Sequence, residues 1–103
     1  MKSFNQCYLI IWEFHVRAGC EAAFVEAYGP AGWWAELFRH AEGYLGTQLL
    51  HDTADPQCYL TIDRWSSASA FEAFKREWGS EYEALDQRCA HLTEHETFLG
   101  TLC

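Results

Sequence analysis

The sequence contains little positive charge and no long apolar run. Seven Lys and Arg side chains stand against fifteen Asp and Glu, which gives a net charge of −8. A surface of this sign repels phosphate backbones, and no basic stripe offsets it, so nucleic acid is not an expected partner. No apolar run reaches the roughly 18 residues that a membrane-spanning helix requires, so no membrane partner is expected. Residues 1–6 lack the apolar core and cleavage site of a secretion signal, which predicts a cytoplasmic protein.

The common motifs of several enzyme classes are also missing. The chain has no P-loop, G-x-G-x-x-G, G-x-S-x-G or H-E-x-x-H segment, which argues against phosphate cradles, dinucleotide sites and common hydrolase sites. Its five cysteines are odd in number and form no C-x-x-C pair, so they are predicted to be reduced, small hydrophobic side chains. Cys89, His91 and His95 have metal-ligand side chains, but a helix-to-strand switch is predicted among them, and no metal site is expected.

What the sequence does contain is an internal repeat. Tyr8-Leu9-Ile10-Ile11 resembles Tyr59-Leu60-Thr61-Ile62, and each copy precedes an apolar-periodic stretch typical of a helix. A duplicated β-α-β unit predicts an α+β, ferredoxin-like βαββαβ fold with a four-stranded antiparallel sheet. Half of the residues are apolar and 17% are aromatic, which predicts a single folded domain over 1–103. The predicted strands are 7–17, 44–52, 57–65 and 93–102; the predicted helices are 20–28, a piece from 30 to Gly43, and one after Ser66 or Ser67 that is interrupted at Gly79.

The alternation of strand residues predicts which side chains face the helices. In the first strand the helix-facing side is Tyr8, Ile10, Trp12, Phe14 and Val16, and the other side is Cys7, Leu9, Ile11, Glu13 and His15. In the third strand Leu60 and Ile62 are expected to face the helices, whereas Tyr59, Thr61, Asp63 and Trp65 are expected to face away. Apolar groups on an open sheet face need a cover, and a second copy packed as a homodimer is the simplest one. The alternative is that the first helical crossover folds over that face.

Two sheets packed in this way would enclose a pocket, and its walls supply the candidate site. His15 is the candidate general base, with Glu13 or Asp63 orienting it. Tyr59, Trp65 and Ile11 are candidate substrate-binding side chains, because apolar walls with a few polar groups are typical of small-molecule pockets. The alternative is that the polar side chains lie at the strand ends in ordinary hydrogen bonds with water.

Three segments give the chain a resemblance to a known family. They are Trp12-x-Phe14-x-Val16-x-x-Gly19 entering Glu21-Ala22-x-Phe24, then Gly43-Tyr44-x-Gly46-Thr47, and Ile62-Asp63-Arg64-Trp65-x-Ser67 leading to Phe71-x-x-Phe74. From Tyr8 to Leu102 the chain resembles the antibiotic biosynthesis monooxygenase-type members of the dimeric α+β barrel superfamily. The resemblance implies a homodimer with a pocket in each subunit, either between sheet and helices or at the sheet interface.

Some of these relatives oxidise aromatic polyketides with O2 and need no metal or flavin. The resemblance therefore implies a cofactor-independent monooxygenase for a small aromatic or polyketide-like substrate, with Arg64 joining Glu13, His15, Tyr59 and Asp63 as candidate site residues. The alternative is a non-catalytic dimeric barrel that binds a small apolar ligand or acts in a stress response. Haem-degrading relatives use an Asn, a Trp and a His, and this chain departs at all three positions with Trp12, Phe74 and Asp86.

Overall fold

Four antiparallel strands form the sheet, and all the helices pack on one of its faces. The computed structural model describes residues 7–103; the segment on which the prediction about a secretion signal depends lies outside them. The strands are β1 (Tyr8–Val16), β2 (Tyr44–His51), β3 (Cys58–Trp65) and β4 (Thr93–Leu102). The helices are α1 (Glu21–Tyr28), α2 (Trp33–Phe38) and α3 (Ala68–Cys89), with a 3-10 turn at Ala90–Leu92. This βαββαβ arrangement confirms the predicted ferredoxin-like fold.

The sheet has the order β2-β3-β1-β4, so the two repeated strands are the central pair. Ile10 lies opposite Asp63 and Trp12 lies opposite Thr61. Opposed residues of antiparallel strands share a face, and therefore Thr61 and Asp63 point to the helices together with Ile10 and Trp12. The two copies of the repeat are thus in the same register relative to the core.

This register corrects the predicted faces of β3. Tyr59, Thr61 and Trp65 are at most 6% exposed and lie on the helix-facing side, not on the open side. Leu60 and Ile62 face away from the helices. Leu9 and Ile11 face the same way, as predicted. Because β3 is apolar on both sides, its alternation alone could not distinguish them; the larger aromatic side chains take the core.

The first crossover is broken at a tight turn between α1 and α2. Gly32 approaches the end of α1 so closely that a Cβ atom there would lie 2.4 Å from the Glu26 carbonyl oxygen. Side chains of both short helices pack against the helix-facing side of the sheet, where Phe24 contacts Tyr59 and Phe38 contacts Trp65. The crossover therefore does not cover the open face, and that alternative is wrong.

Helix α3 is a single element of 22 residues with a kink. Ser67 caps its N-terminus, since its hydroxyl accepts a hydrogen bond of 3.1 Å from the Ala70 backbone N–H. The interruption predicted at Gly79 takes the form of non-helical dihedral angles at Trp78, after which the helix continues to Cys89. Within residues 7–103 no helix is both long and apolar enough to span a membrane.

The open face of the sheet carries apolar side chains from all four strands. Ile11 lies opposite Ile62, Leu50 opposite Leu60, and Leu9 opposite Leu102. Leu50 and Leu102 are the most exposed of these, at 45% and 59%. In the described part of the chain nothing packs over this stripe.

Candidate functional site

A cavity of about 130 Å3 lies between the helix-facing side of the sheet and the helices. Its walls are mainly aromatic, and the aromatic lining residues are Trp12, Phe14, Tyr28, Trp34, Phe38 and Tyr82. Its polar lining residues are Thr61, Asp63, Asp86 and Glu96. An apolar cavity of roughly 150 Å3 binds benzene, so this cavity has room for about one aromatic ring.

Local sequence spacing explains how the aromatic walls arise. Trp12 and Phe14 are two positions apart on β1, and Trp34 and Phe38 are four apart on α2, so each pair shares a face. The rings then contact one another across elements: Phe14 and Tyr28 at 4.8 Å between ring centroids, and Tyr28 and Trp34 at 5.9 Å. Packed aromatic rings of this kind form rigid walls.

Asp63 brings a carboxylate into this aromatic cavity. The Thr47 hydroxyl on the neighbouring strand β2 donates a hydrogen bond of 2.7 Å to Asp63 Oδ1 and in turn accepts one from the Tyr44 hydroxyl. Asp63 lines the cavity, and protein atoms surround most of its carboxyl group. This burial raises the pKa of Asp63 to about 6. The Thr47 hydrogen bond opposes that rise in pKa. A carboxyl with such a pKa can exchange a proton near neutral pH.

Asp86 of α3 and Glu96 of β4 reach the same cavity. Glu96 lies opposite Phe14 across β1 and β4, which places it on the helix-facing side. Burial raises the pKa of Glu96, and the nearby Asp86 charge raises it further. Burial, followed by the charges of Asp86, Asp63 and Glu96, raises the pKa of Tyr82 to about 12. Three carboxyl groups from three different elements therefore share one cavity.

Among residues 7–103, no Lys or Arg forms an ion pair with Asp63, Asp86 or Glu96. The ion pairs among residues 7–103 join His15 with Glu94 and Arg39 with Glu36, and both lie outside the cavity. The ammonium group of Lys75 lies over the Tyr82 ring, 4.3 Å from its centroid, and Lys75 does not line the cavity.

Of the predicted site residues, the structure places Asp63 in the cavity. Tyr59 and Trp65 are on the same side of the sheet but are buried in the core, where Tyr59 stacks on His51 and Trp65 contacts Phe38. Neither lines the cavity. Their predicted contact with substrate remains a prediction.

The remaining predicted residues, Ile11, Glu13, His15 and Arg64, lie on the open face. Glu13 accepts a 3.6 Å hydrogen bond from the Cys58 thiol, and His15 Nε2 lies 3.6 Å from Glu94 Oε1. The expected convergence of His15 and Glu13 with Asp63 is wrong, because Asp63 is on the opposite side of the sheet. The period of two along a strand causes this separation.

Thr47, Asp86 and Glu96 were missed by sequence reasoning. One signal was present for Asp86, which follows Tyr82 by four positions and so shares its helix face. No local pattern relates Thr47 or Glu96 to Asp63, since strand pairing alone brings them together.

Cys89 and His95, which were considered as metal ligands, lie on opposite sides of the sheet. Cys89 is buried at the end of α3, whereas His95 lies on the open face and stacks on His15 at 5.0 Å. In the described ranges no group of three or more His, Cys, Asp or Glu side chains is close enough to hold a metal ion.

The sequence matches the family model of antibiotic biosynthesis monooxygenases over residues 7–81. The chain belongs to this family. The match includes β1, β2, β3 and the Asp63 side of the cavity, but it ends before Asp86 and Glu96. No curated protein sequence matches the chain.

Solved structures share the fold at low sequence identity. A mutant form of SnoaB, a cofactor-independent oxygenase from Streptomyces nogalater, aligns with a TM-score of 0.78 and 17% identity, covering 95% of this chain and 92% of that one. A protein from Bordetella bronchiseptica, provisionally described as an antibiotic biosynthesis monooxygenase, aligns with a TM-score of 0.74 and 16% identity over 95% and 96% of the two chains. At these identities the similarity establishes the fold.

Proposed function

We propose that this protein is a cofactor-independent monooxygenase that oxidises a small hydroxylated aromatic substrate with O2. The observation that carries the proposal is Asp63, a carboxyl with a pKa near neutrality inside an aromatic cavity. Membership of the monooxygenase family supports it, as does a fold shared with the cofactor-independent oxygenase SnoaB.

In the proposed reaction the substrate is the electron donor. The Asp63 carboxylate removes a proton from an activated CH2 group beside the hydroxylated ring, which leaves an electron-rich carbanion. The carbanion gives its electron pair to O2, a C–O bond forms, and protonated Asp63 returns its proton to the distal oxygen. Loss of water from this hydroperoxide then leaves a carbonyl group. One CH2 group and one O2 become one C=O group and one water, so no further reductant is required.

The surrounding residues suit this chemistry. Thr47 donates to one Asp63 oxygen and so fixes the carboxylate, while the other oxygen is left to face a substrate proton. A substrate ring packed against the aromatic walls would displace water from the reacting carbon, which would protect a carbanion and a hydroperoxide from side reactions. The enclosed volume takes one ring, and the remainder of a fused-ring substrate would extend from the mouth of the cavity.

Oxygen consumption with dithranol tests the proposal, because this hydroxylated anthrone carries an activated CH2 group between its rings. We expect the wild type to consume O2 above the uncatalysed rate and Asp63→Asn to lower kcat by about 100-fold or more. Glu94→Gln is the matched control, because Glu94 is an exposed carboxylate on the open face. Full activity of Asp63→Asn would exclude Asp63 as the base. The same assay of His15→Ala tests the general-base role predicted for His15.

We also propose that the open faces of two copies pair to form a homodimer. The apolar stripe of Ile11, Ile62, Leu50, Leu60, Leu9 and Leu102 supports this, since exposed apolar groups across four strands favour a self-complementary cover. Light scattering should give twice the 11.9 kDa chain mass. Ile62→Asp, which puts a charge in the stripe, should give a folded monomer; a wild-type monomer would contradict the dimer.

One observation favours a second function, that of a non-catalytic ligand-binding protein. Glu13 and His15 are outside the cavity, which leaves Asp63 without a histidine partner there. Such a protein would bind dithranol, seen as quenching of Trp34 and Trp12 fluorescence, with O2 consumption no faster than in buffer.

A further inference from the structure

The carboxylates of the cavity indicate what charge its ligand carries. We propose that the cavity selects aromatic ligands that bear a protonated amine and rejects those that bear a carboxylate. This inference rests on the proposed function, because it names the substrate class of the same cavity.

Three carboxyl groups converge on the cavity, and among residues 7–103 none of them has a cationic partner. Asp63 comes from β3, Asp86 from α3 and Glu96 from β4, and all three line one cavity. Among residues 7–103 no Lys or Arg forms an ion pair with any of them, and Lys75 instead lies over the Tyr82 ring. A partly buried carboxylate is stabilised by a partner of opposite charge, and a ligand cation would supply it.

Most of the remaining cavity wall is aromatic. Trp12, Trp34 and Tyr82 present aromatic rings to the same space, and the negative faces of aromatic rings attract ammonium groups. The three carboxylates are not close enough together to hold a metal ion. The combination therefore fits an organic cation with an aromatic body, and a carboxylate ligand would meet three like charges.

A cationic substituent also suits the proposed proton transfer. When Asp63 takes a proton from the substrate, negative charge appears on the substrate ring. An ammonium group held by Asp86 and Glu96 would offset that charge, whereas an uncharged substrate would place it in a region that is already negative.

A matched set of single-ring phenols tests the inference by calorimetric binding at pH 7.5. The probes are tyramine, which is cationic, 4-ethylphenol, which is neutral, and 4-hydroxyphenylacetate, which is anionic. We expect the Kd of tyramine to be at least tenfold lower than that of 4-ethylphenol, and the anion to bind more weakly than both. Added salt should weaken tyramine binding and leave 4-ethylphenol binding nearly unchanged.

Substitutions connect this preference to the carboxylates. In the double variant Asp86→Asn with Glu96→Gln, we expect the tenfold preference for tyramine to disappear while 4-ethylphenol binds as in the wild type, which also shows that the variant is folded. Glu94→Gln should keep the full preference, because Glu94 does not line the cavity and a register shift in β4 brings its carboxylate to His15 on the open face.

The inference is overturned if the anion binds as tightly as the amine, if the double variant keeps its preference, or if none of the three phenols binds. These outcomes are independent of turnover. Charge selectivity without O2 consumption would refute the proposed reaction alone, and O2 consumption without charge selectivity would refute this inference alone.

Discussion

Replacing Asp63 with Asn should make the protein more stable above neutral pH, although it removes the proposed base. Asn keeps the shape of the side chain, and its Oδ1 can still accept the hydrogen bond from Thr47. What disappears is a charge that the fold holds away from water. The pKa of Asp63 is raised from 3.8 to about 6 by that burial.

The raised pKa of Asp63 determines how the stability of the wild type changes with pH. Below pH 3.8 Asp63 is protonated in the folded and the unfolded chain, and its ionisation has no effect on stability. Between pH 3.8 and about 6 the unfolded chain ionises Asp63 while the folded chain keeps it protonated, so stability falls as the pH rises, and the loss is complete once the folded carboxyl is also ionised. The full difference amounts to up to about 3 kcal/mol at about 1.4 kcal/mol per pKa unit.

Urea unfolding of the wild type and Asp63→Asn between pH 4 and pH 8 measures this effect. The free energy of unfolding of the variant should rise relative to that of the wild type from about pH 4 to pH 7. At the upper end of this range the difference should be about 2 to 3 kcal/mol. A difference between wild type and Asp63→Asn that stays constant with pH would refute the burial argument, as would one of the opposite sign.

Three further changes test neighbouring parts of the account. Thr47→Val removes the hydrogen bond that lowers the pKa of Asp63, so the acidic limb of the kcat profile for dithranol oxidation should move to higher pH. Phe38→Ala removes a ring that lines the cavity and contacts Trp65, and it should lower the free energy of unfolding in urea by about 3 to 5 kcal/mol. Gly32→Ala places a Cβ against the Glu26 carbonyl oxygen and should cost about 1 to 3 kcal/mol in the same assay.

The strand and helix order was predictable because the repeat is local. Tyr8 and Tyr59 each lie at the start of a repeated segment that forms a strand and precedes a helix, and that pattern alone predicts βαββαβ. The faces of β3 were not predictable in the same way. Leu60 and Ile62 are as apolar as Tyr59 and Trp65, and only the pairing with β1 determines which pair meets the helices.

The candidate site was predictable to a smaller extent. Asp63 was predicted as a site carboxylate, and it does line the cavity, but the prediction depended on Asp63 facing His15 across an open sheet face. Its actual neighbours are Asp86 and Glu96, which come from the second half of the chain and meet it only when α3 and β4 pack around the cavity. Contacts between distant segments leave no periodic signal in the sequence.

The central claim is that Asp63 starts the transfer of one oxygen atom from O2 to an aromatic substrate. The most direct measurement is mass spectrometry of the dithranol product formed under 18O2 by the wild type and Asp63→Asn. The account predicts one 18O atom in the new carbonyl group, formed faster than without protein by the wild type and not by Asp63→Asn. Equal rates with the two proteins, or oxygen derived from water, would contradict it.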